Sequence, residues 1–414
     1  MAAHNKTIPM TEGTIWKRIV AFAIPLFLGN LFQQLYNMAD SLIVGNFLGS
    51  NALAAVSSSG NLIFLLVGFF NGIAVGAGVV IARYFGAQEK EQLQRSIHTT
   101  IAFGLICGIA LSLIGVILAP KILILMGTPE EVLPNSTVYF QVYFAGSIFF
   151  VMYNIFVGIL QAVGDSRHPL YYLIISSITN VILDLIFVAV FHFGVGAAAL
   201  ATTISQALSA ILCLRQLLRS PEEYRVSIKK IRLDFFMLRQ IISNGLPAGV
   251  QNSIIALANV VVQSNINSFG KMAMAGCGSY AKVEGFAFLP VTCFALSITT
   301  FTSQNIGAKK YDRVKKGARF GVLCSITLAE LVGILMFLFI PHLISAFNRT
   351  PEVIQYGTSQ ARIDTLFYFL LAFSHCAAGI LRGAGKSVVP MIVMMVCWCM
   401  IRVTYITITL HFIP

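Results

Sequence analysis

Long apolar stretches alternate with short polar connections along the whole chain. A helix needs about 20 apolar residues to cross a bilayer. Eleven apolar segments reach that length, and they cover residues 16–44, 52–82, 96–124, 138–162, 169–191, 194–218, 237–267, 273–303, 317–346, 357–381 and 388–411. The pattern therefore predicts an all-α polytopic membrane protein.

One connection differs from the others in length and charge. Residues 219–236 (SPEEYRVSIKKIRLDFFM) form a charged stretch in the middle of the chain. We interpret this stretch as a cytoplasmic linker between two bundles. The predicted organisation is a cytoplasmic tail at 1–13, a six-helix bundle at 14–218, the linker at 219–236 and a second bundle at 237–414.

The composition excludes the soluble classes. Hydrophobic residues make up 57% of the chain and charged residues 11%, against roughly 45–50% and about 25% in soluble domains. The 8 cysteines have no CxxC spacing, so we interpret them as small apolar residues in helix packing. The chain also lacks HExxH, GxSxG and P-loop motifs, and neither an enzyme activity nor a cofactor is expected.

The net charge of +12 predicts orientation and not nucleic-acid binding. With the N-terminus in the cytoplasm, most of the 28 Lys and Arg residues fall on the cytoplasmic side, and only Lys121, Lys271 and Arg349 fall outside. This bias satisfies the positive-inside rule.

Sequence similarity between the two halves indicates an internal duplication. Gly86-Ala87 resembles Gly307-Ala308, and Thr128-Pro129-Glu130 matches Thr350-Pro351-Glu352. The offset is about 221 residues, as expected for a structural repeat. The repeats are predicted to be parallel, with a substrate site near the midplane between them. The sixth helix of the first half has no counterpart, so the second bundle is expected to lack its last helix (6 + 5 helices visible, 6 + 6 expected).

Carboxylates inside apolar segments are costly and commonly mark ion or substrate pathways. Asp40 shares one helical face with Gln33, Tyr36 and Asn37. Pro25 removes a backbone hydrogen bond from the same helix and predicts a hinge. This stripe is interpreted as a cation-binding or protonatable site on a mobile helix, with Gln33, Tyr36 and Asn37 also lining a substrate cavity.

A second polar stripe combines Asn180 and Asp184, and Thr202 belongs to a weaker one on the next segment. Oxygen ligands of this kind suit a proton or Na⁺ at Asp40, Asn180 and Asp184, and the sequence does not choose between the two ions. The second half offers only amides at comparable places, among them Asn252 and Asn259. We expect ion coupling in the first half and some substrate contacts in the second.

Other charges within segments allow two interpretations. Glu284 is expected either to pair with Arg402 or to contact a cationic substrate, and the roles of Glu330 and Asp364 stay open between function and structure.

Several runs carry a family resemblance, and together they extend over most of the chain. They are Thr11–Lys17, Ala23–Pro25, Gly29–Asn37, Asp40–Gly45, Leu160–Asp165 and Leu381–Gly385. The chain resembles the MATE (multidrug and toxic compound extrusion) transporters, and most of all their prokaryotic DinF-like branch. The resemblance implies two bundles around a V-shaped cavity, with a first-half cation site that Asp40, Asn180, Asp184 and Thr202 match. The chain departs from the family pattern in two ways. It has no match to the acidic cation ligands of the NorM-like branch, and its twelfth helix is absent.

The expected function is a secondary antiporter in the bacterial plasma membrane. It would exchange H⁺ or Na⁺ for amphipathic, cationic organic compounds, act as a monomer and contact only substrates and membrane lipids. Alternatives are a lipid-linked oligosaccharide flippase, whose cavity would be basic, a membrane-embedded enzyme and a passive channel.

Overall fold

A computed structural model of the chain describes residues 9–48, 50–125, 128 and 130–412, without the side chains of residues 41, 50–65, 67 and 411. Every regular element in these residues is helical. The α-helices are α1 Ile15–Leu48, α2 Ser50–Ala87, α3 Lys90–Leu125, α4 Leu133–Ala145, α5 Ser147–Ala162, α6 Arg167–Asp184, α7 Val195–Leu218, α8 Phe235–Asn267, α9 Lys271–Ala287, α10 Leu289–Gly307, α11 Tyr311–Ser345, α12 Pro351–Thr365, α13 Tyr368–Gly383, α14 Val388–Met394 and α15 Arg402–Phe412.

These helices confirm the predicted membrane architecture. Within the described residues, nine helical stretches are long and apolar enough to span a membrane. Two further spans arise when the bent pairs α4–α5 and α12–α13 are each counted as one. Wide π-helical turns, Leu185–Val190 and Met395–Ile401, extend α6 and join α14 to α15. The eleven predicted segments each coincide with one of these spans.

The duplication is visible in the backbone as well as in the sequence. The α4–α5 pair bends by 46° at Gly146, and the α12–α13 pair bends by 56° at the corresponding place. Gln88 and Lys309 both have left-handed φ angles, of 60° and 57°, in equivalent turns. Gly164 and Gly385 do the same at 94° and 80°. Glycine adopts this conformation without strain, which explains its presence at the latter pair.

The two halves come into close contact where small residues let their helices touch. A Cβ atom on Gly72 would lie 2.3 Å from the nitrogen of Gly249, and one on Gly76 would lie 2.2 Å from Gly245. These contacts join α2 to α8. Helices in a membrane gain little from hydrophobic burial, so close backbone approach provides their packing energy.

We name the end at which α1 begins and α2 ends the basic end, because Lys17, Arg83, Lys90, Arg313 and Lys316 lie there. The linker packs onto the first half at this end. The Gln94 side chain of α3 donates to the carbonyl oxygens of Glu222, Glu223 and Arg225 at 3.1, 3.0 and 3.2 Å. The linker is thus a fixed part of the surface, with a short 3-10 turn at Ile228–Lys230.

The segment predicted as an N-terminal tail is partly built into the protein. Met10 is only 2% exposed and Thr11 is 9% exposed. Both residues contact the second half, because its polar side chains bind their backbone groups. Residues 1–8 of the predicted tail lie outside the described residues.

Candidate ion and substrate site

Two acidic side chains from different spans meet inside the first half. Asp40 of α1 and Asp184 of α6 lie with their carboxyl groups within hydrogen-bonding range of each other. Asp184 is fully buried. Asp40 lies eight residues before the end of α1, which places the pair about 12 Å from that end at 1.5 Å per residue. Two adjacent carboxylates repel each other, and a shared proton or a bound cation relieves that repulsion.

The surrounding polar atoms are left without partners. Within the described residues, the two carboxyl oxygens of Asp184 and one of Asp40 have no hydrogen-bond donor. Both amide atoms of Asn180 are also unpaired, and Asn180 is 1% exposed. Buried polar atoms normally find partners. The unpaired oxygens of Asp40, Asp184 and Asn180 are groups that could hold a proton or a small cation.

Two tyrosines lie beside the acidic pair. Tyr36 lies within hydrogen-bonding range of Gln33 and Gln206 and next to Asp40. Tyr139 of α4 is 5% exposed and lies close to both carboxyl groups. Thr202 of α7 uses its hydroxyl to donate to the carbonyl of Ala198 at 3.1 Å, which leaves the oxygen lone pairs able to bind a cation.

A cavity of about 180 Å³ begins beside this cluster and extends toward the basic end. Gln33 and Gln206 belong to its lining and connect it to the tyrosine beside Asp40. The other polar lining residues are Asn30, Asn71, Tyr153, Asn154, Gln161, Ser166, Thr299 and Thr300. Among the described lining residues there is no Asp, Glu, Lys or Arg. The cavity thus offers amide and hydroxyl groups, and the acidic residues Asp40 and Asp184 are not part of its lining.

The predicted second-half residues do not join this site. Asn252 donates to the carbonyl of Gly68 at 3.0 Å, across the contact between the halves. Asn259 accepts a hydrogen bond from Arg402 at 3.0 Å. Neither residue lines the cavity, to which the second half contributes only Leu296, Thr299 and Thr300 among the described residues. Asn37 is exposed on α1 and is not among the described lining residues of the cavity.

The remaining charged residues have local partners. Glu284 accepts a hydrogen bond from Tyr280 at 3.4 Å. Arg402 lies near Glu284, but no ion pair joins them in the part of the chain that is described, because the guanidinium instead bonds Asn259 and covers the Trp398 ring. The expected ion pair between Glu284 and Arg402 is therefore not formed. Glu330 accepts from the backbone nitrogen of Phe369 at 3.0 Å and so stabilises the bend before α13.

The predicted hinge residue lies in an unbroken helix. α1 continues through Pro25 from Ile15 to Leu48, and Pro25 lines the cavity. Its missing N–H group weakens the helix at this point. A bend here would move Asp40 relative to the basic end.

Sequence reasoning missed several members of the site. Tyr139 and Tyr143 stand one turn apart on α4; Tyr139 lies close to both carboxyl groups, and Tyr143 lies near Tyr36. Asn71 and Asn154 line the cavity from α2 and α5. In the sequence, these residues are recognisable only as isolated polar residues within apolar segments. The packing of the helices shows which of them line the same cavity.

Comparison with known proteins agrees with this architecture. The MatE family model matches the chain twice, at residues 25–186 and 247–407. The "Probable multidrug resistance protein YoeA" of Bacillus subtilis is 29% identical over 391 residues, which cover 92% of this chain and 84% of that protein. The "Probable multidrug resistance protein NorM" of Thermotoga maritima is 26% identical over 383 residues, with coverages of 92% and 82%.

Solved structures show the same fold. A structure described as "Crystal structure of MATE in the bent conformation" superposes with a TM-score of 0.92 at 23% identity, covering 99% of this chain and 91% of that one. A structure described as an outward-facing multidrug resistance MATE transporter gives a TM-score of 0.92 at 22% identity, with coverages of 99% and 92%. With both halves matched by the family model, the chain belongs to the MatE family and is a multi-pass membrane transporter, not an enzyme.

Proposed function

We propose that the protein is an antiporter that exports amphipathic, cationic organic compounds in exchange for H⁺ or Na⁺. The observation that carries this proposal is the pairing of Asp40 with Asp184 in a cluster of unpaired buried oxygens beside an amide-lined cavity. The names of the multidrug relatives support a small organic substrate. The N-terminus and the basic end are assigned to the cytoplasm by the positive-inside rule.

The proposed cycle uses the acidic pair as the coupling site. A proton or Na⁺ arriving from outside binds between Asp40 and Asp184, with Asn180 and Thr202 as neutral oxygen ligands. Binding removes the repulsion between the carboxylates and changes how α1 packs on α6. Because Gln33 and Tyr36 lie on the same face of α1 as Asp40, this change reaches the cavity and weakens substrate binding there. A ligand shifts a conformational equilibrium only through its differential affinity for the two states.

The cavity chemistry favours an organic substrate over a lipid-linked oligosaccharide. A diphosphate headgroup needs basic partners, and the described lining offers only neutral polar groups. An amphipathic cation instead finds aromatic and apolar walls, amide oxygens and a nearby negative charge. The flippase alternative therefore lacks its binding partners at this place.

The test is dye export from proteoliposomes with an imposed Na⁺ or pH gradient. Asp40→Asn and Asp184→Asn should each abolish gradient-driven export, while Glu330→Gln should retain it. Glu330 is a suitable control because an amide can accept the same Phe369 N–H bond. Normal coupled export by Asp40→Asn would overturn the proposal. If no dye moves through well-folded wild type, phosphate-bearing lipids become the next substrates to test.

A further inference from the structure

The segment before α1 crosses from the first half to the second at the basic end. We define residues 10–13 as the strap. Arg313 of α11 donates to the carbonyl oxygens of Met10, Glu12 and Gly13 at 3.0, 3.1 and 2.6 Å. Lys310 adds a bond to the carbonyl of Thr11 at 3.0 Å. Four successive backbone carbonyls are thus held by two cationic side chains of the second half.

One buried side chain joins the strap to both halves. Gln304 of α10 has no exposed surface. Its oxygen accepts from the Met10 N–H at 2.9 Å, and its amide nitrogen donates to the carbonyl of Ala162, at the end of α5, at 2.8 Å. Gln304 therefore stands between the strap and the first bundle, and separation of the halves at this end must break these bonds.

The internal repeat gives the strap a counterpart with different connections. Arg83 is the counterpart of Gln304, and its guanidinium lies against Gly385 in the other half. The counterpart of the strap is the last part of the linker, where the N–H of Asp234 donates to the hydroxyl of Thr99 in α3 at 3.2 Å. The linker is covalently joined to both halves. The strap is joined to the second half by non-covalent contacts alone.

Two features of the strap sequence fit this geometry. Gly13 has a φ of 74°, and a Cβ atom there would lie 2.9 Å from the Arg18 guanidinium, so a larger residue is strained at the turn into α1. Arg18 itself donates to the carbonyl of Glu12 at 3.1 Å. The strap is therefore fixed to the start of α1 on one side and to α11 on the other.

The described side-chain hydrogen bonds between the two halves are concentrated toward the basic end. Side-chain hydrogen bonds that join helices of the two bundles, in the described residues, lie between the basic end and the middle of the helices, with Asn30–Cys293 and Asn252–Gly68 as the deepest. This conformation is closed at the basic end.

We propose that the strap is a latch, in which Arg313 and Gln304 hold the basic end closed, and that its release permits opening toward the cytoplasm. The latch rests on the proposed transport function for its role, but its structural effect is measurable without any substrate.

The test measures access to the cavity from each side. Asn154→Cys places a reporter in the cavity wall, and its labelling by a membrane-impermeant maleimide is measured in right-side-out and inside-out vesicles. Mass spectrometry of that one site allows the native cysteines to stay. Arg313→Ala should raise labelling from the basic end about tenfold and lower it from the other side, since hydrogen bonds to charged groups are lost. Gln304→Leu should act in the same direction.

Lys316→Ala is the matched control, because it removes the same charge one turn along α11 without a described hydrogen bond to the strap. It should leave labelling unchanged. In the Arg313→Ala background, a short thiol cross-link between Thr11→Cys and Lys310→Cys should restore low labelling from the basic end.

Unchanged access in Arg313→Ala and Gln304→Leu, or an equal rise on both sides, would refute the latch. Failure of dye export with a normal labelling shift would count against the transport proposal alone.

Discussion

The carboxyl group of Asp40 faces that of Asp184, although the two residues come from the first and fifth spans of the chain. Burial of like charges without donors is unfavourable in a helix bundle. Their juxtaposition therefore makes the doubly ionised pair a source of instability that a cation removes.

The first prediction concerns this instability. Asp184→Asn should raise the free energy of unfolding in sodium-free buffer, because it removes one of two buried like charges that repel each other. The expected gain is about 1–3 kcal/mol, the order of the cost of a buried polar group without a partner. Thermal unfolding in detergent measures the change. Replacing choline chloride with NaCl should stabilise the wild type, and lowering the pH should do so if protons are the coupling ion. The stability of Asp184→Asn should stay nearly unchanged in both cases. Glu330→Gln serves as the control and should respond like the wild type; an Asp184→Asn protein less stable than the wild type would contradict the prediction.

The second prediction concerns the backbone contact at the basic end. A Cβ atom on Gly86 would lie 2.0 Å from the carbonyl oxygen of Gln304, and one on Gly307 would lie 2.0 Å from that of Arg83. Gly86→Ala and Gly307→Ala should each destabilise the closed conformation by about 1–3 kcal/mol, the usual range for overpacking. Labelling of Asn154→Cys from the basic end checks the result.

Gly278→Ala is the control for that experiment. Gly278 lies inside α9, and a Cβ atom there would have nothing within 4 Å. Alanine should be neutral or stabilise the helix by about 0.5–1 kcal/mol. If all three alanine variants gave the same labelling, close packing of the two halves would not set the conformation.

The third prediction concerns the linker. Gln94→Ala removes three hydrogen bonds to the backbone at Glu222, Glu223 and Arg225. Local opening of the linker should become easier by about 1–3 kcal/mol, and trypsin should cut after Arg225 or Lys229 at least several-fold faster. Lys90→Ala removes only an exposed ion pair with Glu223 at 3.6 Å, which is worth little. Equal cleavage rates in the two variants would show that Gln94 does not hold the linker.

The fourth prediction separates substrate binding from ion coupling. Gln33→Leu removes an amide from the cavity and from the Tyr36 contact. Substrates that hydrogen-bond in the cavity should lose about tenfold in apparent affinity, whereas lipophilic cations without such groups should be affected less. Concentration-dependent export of one dye of each kind gives the comparison. A loss of coupling with unchanged affinities would instead place Gln33 in the ion site.

The sequence by itself determined the membrane architecture, because the cost of unpaired backbone groups in lipid leaves few alternatives to long apolar helices. It also determined the duplication, since equal motifs such as Gly86-Ala87 and Gly307-Ala308 recur at a constant offset. Asp40, Asn180 and Asp184 were evident because charged and amide groups are costly in an apolar helix and therefore stand out.

Only the tertiary structure decided which polar residues share a space. Helical periodicity places Asn37 and Gln33 on one face of α1, but neighbouring helices enclose Gln33 in the cavity and leave Asn37 exposed. Tyr139, Gln206 and Asn154 reach the site from three other helices, and no local pattern relates them. The strap was likewise hidden, because its energy comes from backbone groups, which every residue possesses. Arg313 donates to strap carbonyls and Gln304 accepts from the Met10 N–H, although both residues lie about 300 positions away along the chain.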